Sequence, residues 1–139
     1  MEVKLLPLTE RDLPFLLEVR NDISTRSYLE DNNIFNLNGC KKWFKSLTSP
    51  WYIIEVNSNR VGYFRTKGDE VGCDIHPNFR RKGYARIAYK EYLKNHNYAI
   101  LKVFEDNFAK NLYLSLGFKI IGEGEVIRGR KYLKMEYNG

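Results

Sequence analysis

Apolar and polar positions change their period along this chain, and the changes mark out its elements. Val3 to Pro7 predicts a short first strand. Thr9-Glu10-Arg11-Asp12 follows, where Thr9 can cap a helix with an acidic first turn, and Leu13, Phe15, Leu16 and Val19 give that helix an apolar face. Arg20 to Asn38 is polar, rich in Asn and Asp, and without clear period, which predicts a loop or broken helix. A short second helix is predicted around Cys40 to Leu47, with Trp43, Phe44 and Leu47 turned inward. From Trp51 the period becomes two. Trp51 to Val56, Arg60 to Thr66 and Glu70 to Ile75 predict three antiparallel strands, joined by turns at Asn57-Ser58-Asn59 and Lys67-Gly68-Asp69. Ala85, Ala88, Tyr89, Tyr92 and Leu93 then recur at helical spacing, followed by a strand at Ala99 to Phe104 and a helix from about Phe108 to Leu116. In the closing hairpin Leu133, Met135 and Tyr137 alternate with Lys134 and Glu136, the pattern of a half-buried strand.

The order of elements is strand, two helices, three strands, helix, strand, helix, two strands. It predicts an α+β fold with a mixed, mostly antiparallel sheet of about seven strands and about four helices. A chain of 139 residues can bury one proper core and is too short for a second, so 1–139 is read as a single domain. The hydrophobic share of 43% and the spread of Tyr and Phe exclude a disordered chain. No apolar run is long enough to span a membrane, and Glu2 and Lys4 interrupt any would-be signal peptide, so a cytoplasmic location without membrane contact is expected. Cys40 and Cys73 lie far apart and lack metal-ligand spacing, so no metal is expected and no disulfide is implied.

The formal net charge of +6 suits an anionic ligand and suits nucleic acid equally. Against nucleic acid, the aromatic residues alternate with apolar ones as a core does, and no DNA- or RNA-binding motif is present. The more specific feature is Arg80-Arg81-Lys82-Gly83-Tyr84-Ala85, a basic, glycine-bearing turn joining a predicted strand to a predicted helix. The unpaired N–H groups of a first helical turn converge on one point and favour an anion, and Gly83 lets the main chain approach a phosphate closely. Taken alone, such a cluster is as often a solvated face.

Its context narrows the choice. Glu70 through Ala85, with His76-Pro77 at the strand exit, resembles the acetyl-CoA-binding motif of the GNAT superfamily of N-acetyltransferases almost position for position. Asn107-Phe108-Ala109-Lys110-Asn111-Leu112-Tyr113-Leu114-Ser115-Leu116-Gly117-Phe118 resembles a later block of the same family. In the family an Asn usually stands seven residues before the Tyr. Here that place is Asp106, and Asn107 comes one residue late. The resemblance implies acetyl-CoA as donor and direct attack by a primary amine. It places Asp74, Ile75, Arg80, Arg81, Lys82, Gly83, Tyr84, Ala85 and Asn107 beside the cofactor, Tyr113 as acid for the departing thiolate, and Glu70 as base, with Asp74 a second carboxylate on the same strand face. Packing in the core is the alternative for Tyr113, and a solvent-facing hairpin end for Glu70. His76 is expected to be structural, His96 a surface residue, and Cys73, inside a strand, an unpromising nucleophile.

The run Glu18-Val19-Arg20-Asn21-Asp22, with Lys42-Trp43-Phe44 later, resembles a GNAT branch of amino-sugar-nucleotide acetyltransferases that blends into ribosomal-protein acetyltransferases. Val19 stands where Trp is usual. On that resemblance Arg20 and Asn21 are expected at the acceptor, an amino-sugar nucleotide first and a protein N-terminus second. Arg20, Lys42, Arg128 and Arg130 are candidates to meet an acceptor diphosphate, or to be solvated charge. A CoA-sensing domain without catalysis is the remaining alternative, opposed by intact Gly83, Ala85 and Tyr113. A monomer or homodimer is expected.

Overall fold

A computed structural model of the chain describes residues 2–139. Its elements run β1 (Val3–Pro7), a 3-10 turn (Glu10–Asp12) leading into α1 (Leu13–Arg20), α2 (Ile23–Arg26), α3 (Leu37–Lys45), β2 (Trp51–Val56), β3 (Asn59–Lys67), β4 (Glu70–Ile75), α4 (Tyr84–Leu93), β5 (Tyr98–Phe104), α5 (Ala109–Ser115), β6 (Lys119–Ile127) and β7 (Arg130–Asn138). The seven described strands form one sheet in the order β1-β2-β3-β4-β5-β7-β6, antiparallel at every step except β4 to β5. This is the predicted α+β arrangement. The fifth helix is α2, a single turn inside the polar Arg20 to Asn38 stretch, where Asp22 caps the N–H of Ser24.

Side chains of the two sheet faces make two cores. On one face Leu13, Leu16 and Val19 of α1 pack with Cys40, Ile53 and Tyr63. On the other, Phe64 has no exposed surface, meets Tyr89 edge-on at 5.1 Å between ring centroids and stacks on Tyr92 at 4.8 Å. Both tyrosines belong to α4, so this aromatic cluster fixes α4, and with it the helix N-terminus, against β3. Truncating a fully buried Phe of this kind costs about 3–5 kcal/mol.

The feature that creates a site is the parting of β4 from β5. Their register holds at one pair, Glu70 with Ile100, and the Ile100 N–H donates to the Asp69 carbonyl at 2.9 Å. Beyond it β5 pairs continuously with β7, from Tyr98–Asn138 to Phe104–Tyr132, while β4 stays with β3. The edge of β4 from Val71 to Ile75 therefore loses its ladder to β5, and unpaired backbone groups line a wedge-shaped opening.

Candidate active site

A cavity of about 490 Å³ occupies this wedge. The turn before α4 is part of its lining. There Arg81 (φ +62°) and Gly83 (φ +77°) both take the left-handed conformation, so the chain reverses tightly just before the first turn of α4, whose N–H groups have no helical partners. A Cβ built on Gly83 would meet nothing within 4 Å, so the main chain there faces open space. Ile75, Arg80, Arg81, Gly83, Tyr84, Ala85 and Asn107, all expected beside the cofactor, line the cavity. Lys82, exposed, sits on the same turn.

Arg80 also braces the fold: its Nε donates to the Ile75 carbonyl at 3.0 Å, and its other nitrogens donate to the hydroxyls of Ser24 and Thr25. The guanidinium thus ties α2 to the end of β4. Asn107 is similarly engaged, its Oδ1 accepting from the Ala109 N–H at 2.9 Å to start α5. Asp106 does not line this cavity; it makes a bidentate pair with Arg130, with distances of 3.0 and 2.8 Å. Of the two residues near the family's Asn place, Asn107 is the one beside the wedge.

Tyr113, Asp74 and Cys73 line the same cavity. Tyr113 projects from α5 against Tyr89 and Phe118, with ring centroids 5.4 and 6.1 Å away. Burial pushes its phenol up to about 12, so it holds its proton at neutral pH. Burial also raises the Cys73 thiol, which removes the thiolate a nucleophile needs. His76 is engaged locally: Nδ1 accepts from the Asn78 N–H, and the ring stacks on Phe15.

Glu70 lies in a second cavity of about 220 Å³ next to the first, with Arg20, Glu30, Asp31, Trp51 and Tyr63. Tyr28, Leu29, Arg65 and Lys102 line both cavities and form their common wall. Glu70 is paired with Lys102, Oε1 to Nζ at 3.5 Å. Asp74 opens on the first cavity instead, and its buried Oδ2 has no hydrogen-bond partner among the described residues. The two carboxylates thus share a strand face and stand in adjoining chambers.

Arg20 and Asn21 hold the α2–α3 connection. Arg20 is 9% exposed, donates to the Asp31 and Asn33 carbonyls and lies over the Phe35 ring at 4.6 Å, with its Nη2 to Asp31 contact the shorter of the two. Burial lowers its pKa. Asn21 exchanges two hydrogen bonds with the backbone of Phe35, at 2.8 and 2.9 Å. From the closing hairpin, Arg128 donates to the Glu30 and Leu29 carbonyls and Arg130 to the Ser27 carbonyl. The expected acceptor residues therefore grip the segment that roofs the second cavity. Of these, Arg20 also lines it.

Sequence reasoning missed Arg65. Between buried Phe64 and Thr66 it reads as the outward residue of an alternating strand, but β3–β4 register places it opposite Gly72. A Cβ at Gly72 would fall 2.3 Å from its Cζ, so the guanidinium lies flat on bare backbone. Burial works against its charge, but the Asp74 carboxylate and nearby phenols outweigh that, and Arg65 is held above the usual range. Only the register reveals this pairing.

The model of the acetyltransferase (GNAT) family matches residues 14–118. The chain therefore belongs to the GNAT family of acetyltransferases. Its fold is similar to spermidine N-acetyltransferase from Vibrio cholerae, solved with CoA and spermine (20% identity, TM-score 0.86, 96% of this chain and 94% of that one). It is also similar to ribosomal-protein-alanine N-acetyltransferase from Brucella melitensis (21% identity, TM-score 0.78, 100% of both chains) and to a GNAT acetyltransferase from Bacillus anthracis (15% identity, TM-score 0.84, 99% and 95%). No curated protein matches the chain. Among the described residues no helix is long and apolar enough to cross a membrane, and no cluster of His, Cys, Asp or Glu could hold a metal.

Proposed function

We propose that this chain is an acetyl-CoA-dependent N-acetyltransferase that passes the acetyl group to a small primary amine by direct attack. The observation that carries the reading is one cavity lined both by the turn that opens α4 and by the proton-holding Tyr113. Acetyl-CoA supplies a thioester. The first turn of α4, with Arg81 and Lys82, suits its diphosphate, and the unpaired edge of β4 suits an extended amide-bearing arm. Tyr113 gives its proton to the leaving sulfur. Glu70 takes the proton of the amine, with Asp74 as the second carboxylate in reach of the opening. Positioning supplies most of the acceleration, and the acid and base about 10²–10⁴-fold.

For the acceptor, the Arg20-Asn21-Asp22 run favours an amino-sugar nucleotide, with a protein N-terminus second. The guanidinium groups on which a diphosphate would rest are committed elsewhere: Arg20 and Arg128 to loop carbonyls, Arg130 to Asp106 and Ser27. Lys42 lies exposed on α3, and the acceptor cavity is smaller than the 300–1,000 Å³ usual for drug-sized ligands. This shifts the balance toward a compact amine. The test is thiol release from acetyl-CoA with amino-sugar nucleotides, N-terminal peptides, polyamines and amino acids as acceptors. Acceptor-dependent release with a compact amine is expected. CoA binding without acceptor-dependent release from any class would leave a CoA-sensing domain in its place.

A further inference from the structure

We infer that Arg65 is the acceptor's anchor and that the acceptor is a zwitterion, a compact amine carrying a carboxylate within a few atoms of the nitrogen; this rests on the acetyltransferase reading above. Arg65 is the guanidinium at the wall between the cofactor and acceptor cavities. Its nearest carboxylate is Asp74, Nε to Oδ2 at 3.7 Å, too long for a hydrogen bond, and the guanidinium donates none to a described residue. Arg20, Arg128 and Arg130, by contrast, all have their donors occupied by the protein. A planar fork fixed against Gly72, with donors free toward a cavity, matches the bidentate geometry of a carboxylate.

Charge and length narrow the ligand further. The acceptor cavity is lined by three cationic side chains, Arg20, Arg65 and Lys102, and three anionic ones, Glu30, Asp31 and Glu70. Such balance suits a molecule of zero net charge better than a dianionic phosphate or a polycation. Arg65 faces Gly72, and Glu70 lies two residues along the same strand face. That spacing is roughly 7 Å at about 3.3 Å per residue. A carboxylate on Arg65 and an amine directed to Glu70 fit across it in an α- to γ-amino acid.

The test uses the full chain saturated with CoA or acetyl-CoA, and glycine, β-alanine, γ-aminobutyrate and the common L-amino acids, each paired with its amide or decarboxylated amine. Isothermal calorimetry reads binding, and thiol release reads kcat/KM. At least one amino acid should exceed its amide at least tenfold in both. In Arg65→Gln the ratio of acid to amide should collapse toward one, with partial recovery in Arg65→Lys. Gly72→Ala should reproduce the collapse, since the clash is with the mobile end of the Arg65 side chain and the fold can yield by moving it. Equal handling of acids and amides by the unaltered chain would overturn the inference. So would an equal loss for both in Arg65→Gln, which would put Arg65 on the thioester. Failure to bind CoA at all would instead strike the acetyltransferase reading.

Discussion

At the scale of single residues, the site depends on what each side chain is prevented from doing. Tyr113 is kept from ionising by burial, and Phe at this position would keep the ring while removing the proton. Tyr113→Phe should therefore lower kcat by about 10²-fold with acetyl-CoA affinity unchanged, as steady-state rates and calorimetry would read. The same shift links Tyr113 to stability. Because its folded pKa of about 12 lies above the free phenol value of about 10, its contribution is complete below about pH 10 and is lost as pH rises through about 12. Thermal unfolding of Tyr113→Phe should accordingly lose less stability across that window than the unaltered chain. Gly83 is constrained by backbone: at φ +77° a branched residue is strained by roughly 1–2 kcal/mol, and its side chain would enter the open space beside the α4 N-terminus. Gly83→Val should weaken CoA at least tenfold by calorimetry, and unchanged affinity in a folded variant would displace the diphosphate from this turn.

At the scale of elements, the α2–α3 connection is held by guanidinium groups from two directions, Arg20 from α1 and Arg128 and Arg130 from the hairpin. Arg20→Ala removes charge-assisted bonds to loop carbonyls and should cost about 1–3 kcal/mol in urea denaturation. If the proposed reading holds it should also raise the acceptor KM more than that of acetyl-CoA, because Arg20 and the Asp31 it holds line the second cavity and not the first. The strands were legible from the sequence because their apolar positions meet a core. β4 alternates Val71 and Ile75 with Glu70 and Asp74, β2 sends Ile53 into one core and Ile54 into the other, and both strands fall at the predicted bounds. The single turn of α2 was not, since four residues cannot display a helical period. Asp106 and Asn107 could not be ranked by spacing; packing separates them, turning Asp106 to Arg130 and Asn107 to the wedge. Arg65 stayed hidden because its meaning depends on which residue of the next strand faces it.

At the scale of the whole molecule, the sheet works as a wedge: β1 to β4 form one half, β5, β7 and β6 the other, and their registered pairing is the single pair Glu70 and Ile100. On the proposed reading donor and acceptor approach each other through the adjoining cavities, with Arg65 and Lys102 in the common wall. Glu70→Gln should lower kcat/KM, as steady-state rates would read; if Asp74→Asn does so instead, the base sits on the other side of that wall. On the proposed reading both substrates are bound together, consistent with Cys73, which lines the same cavity as Tyr113, being held by burial as a neutral thiol. The most direct test is the initial rate of thiol release as acetyl-CoA and acceptor are varied against each other. Direct transfer predicts double-reciprocal lines that intersect, with no burst of thiol in the absence of acceptor. Parallel lines with an acceptor-independent burst would show an acetylated enzyme intermediate and contradict the account.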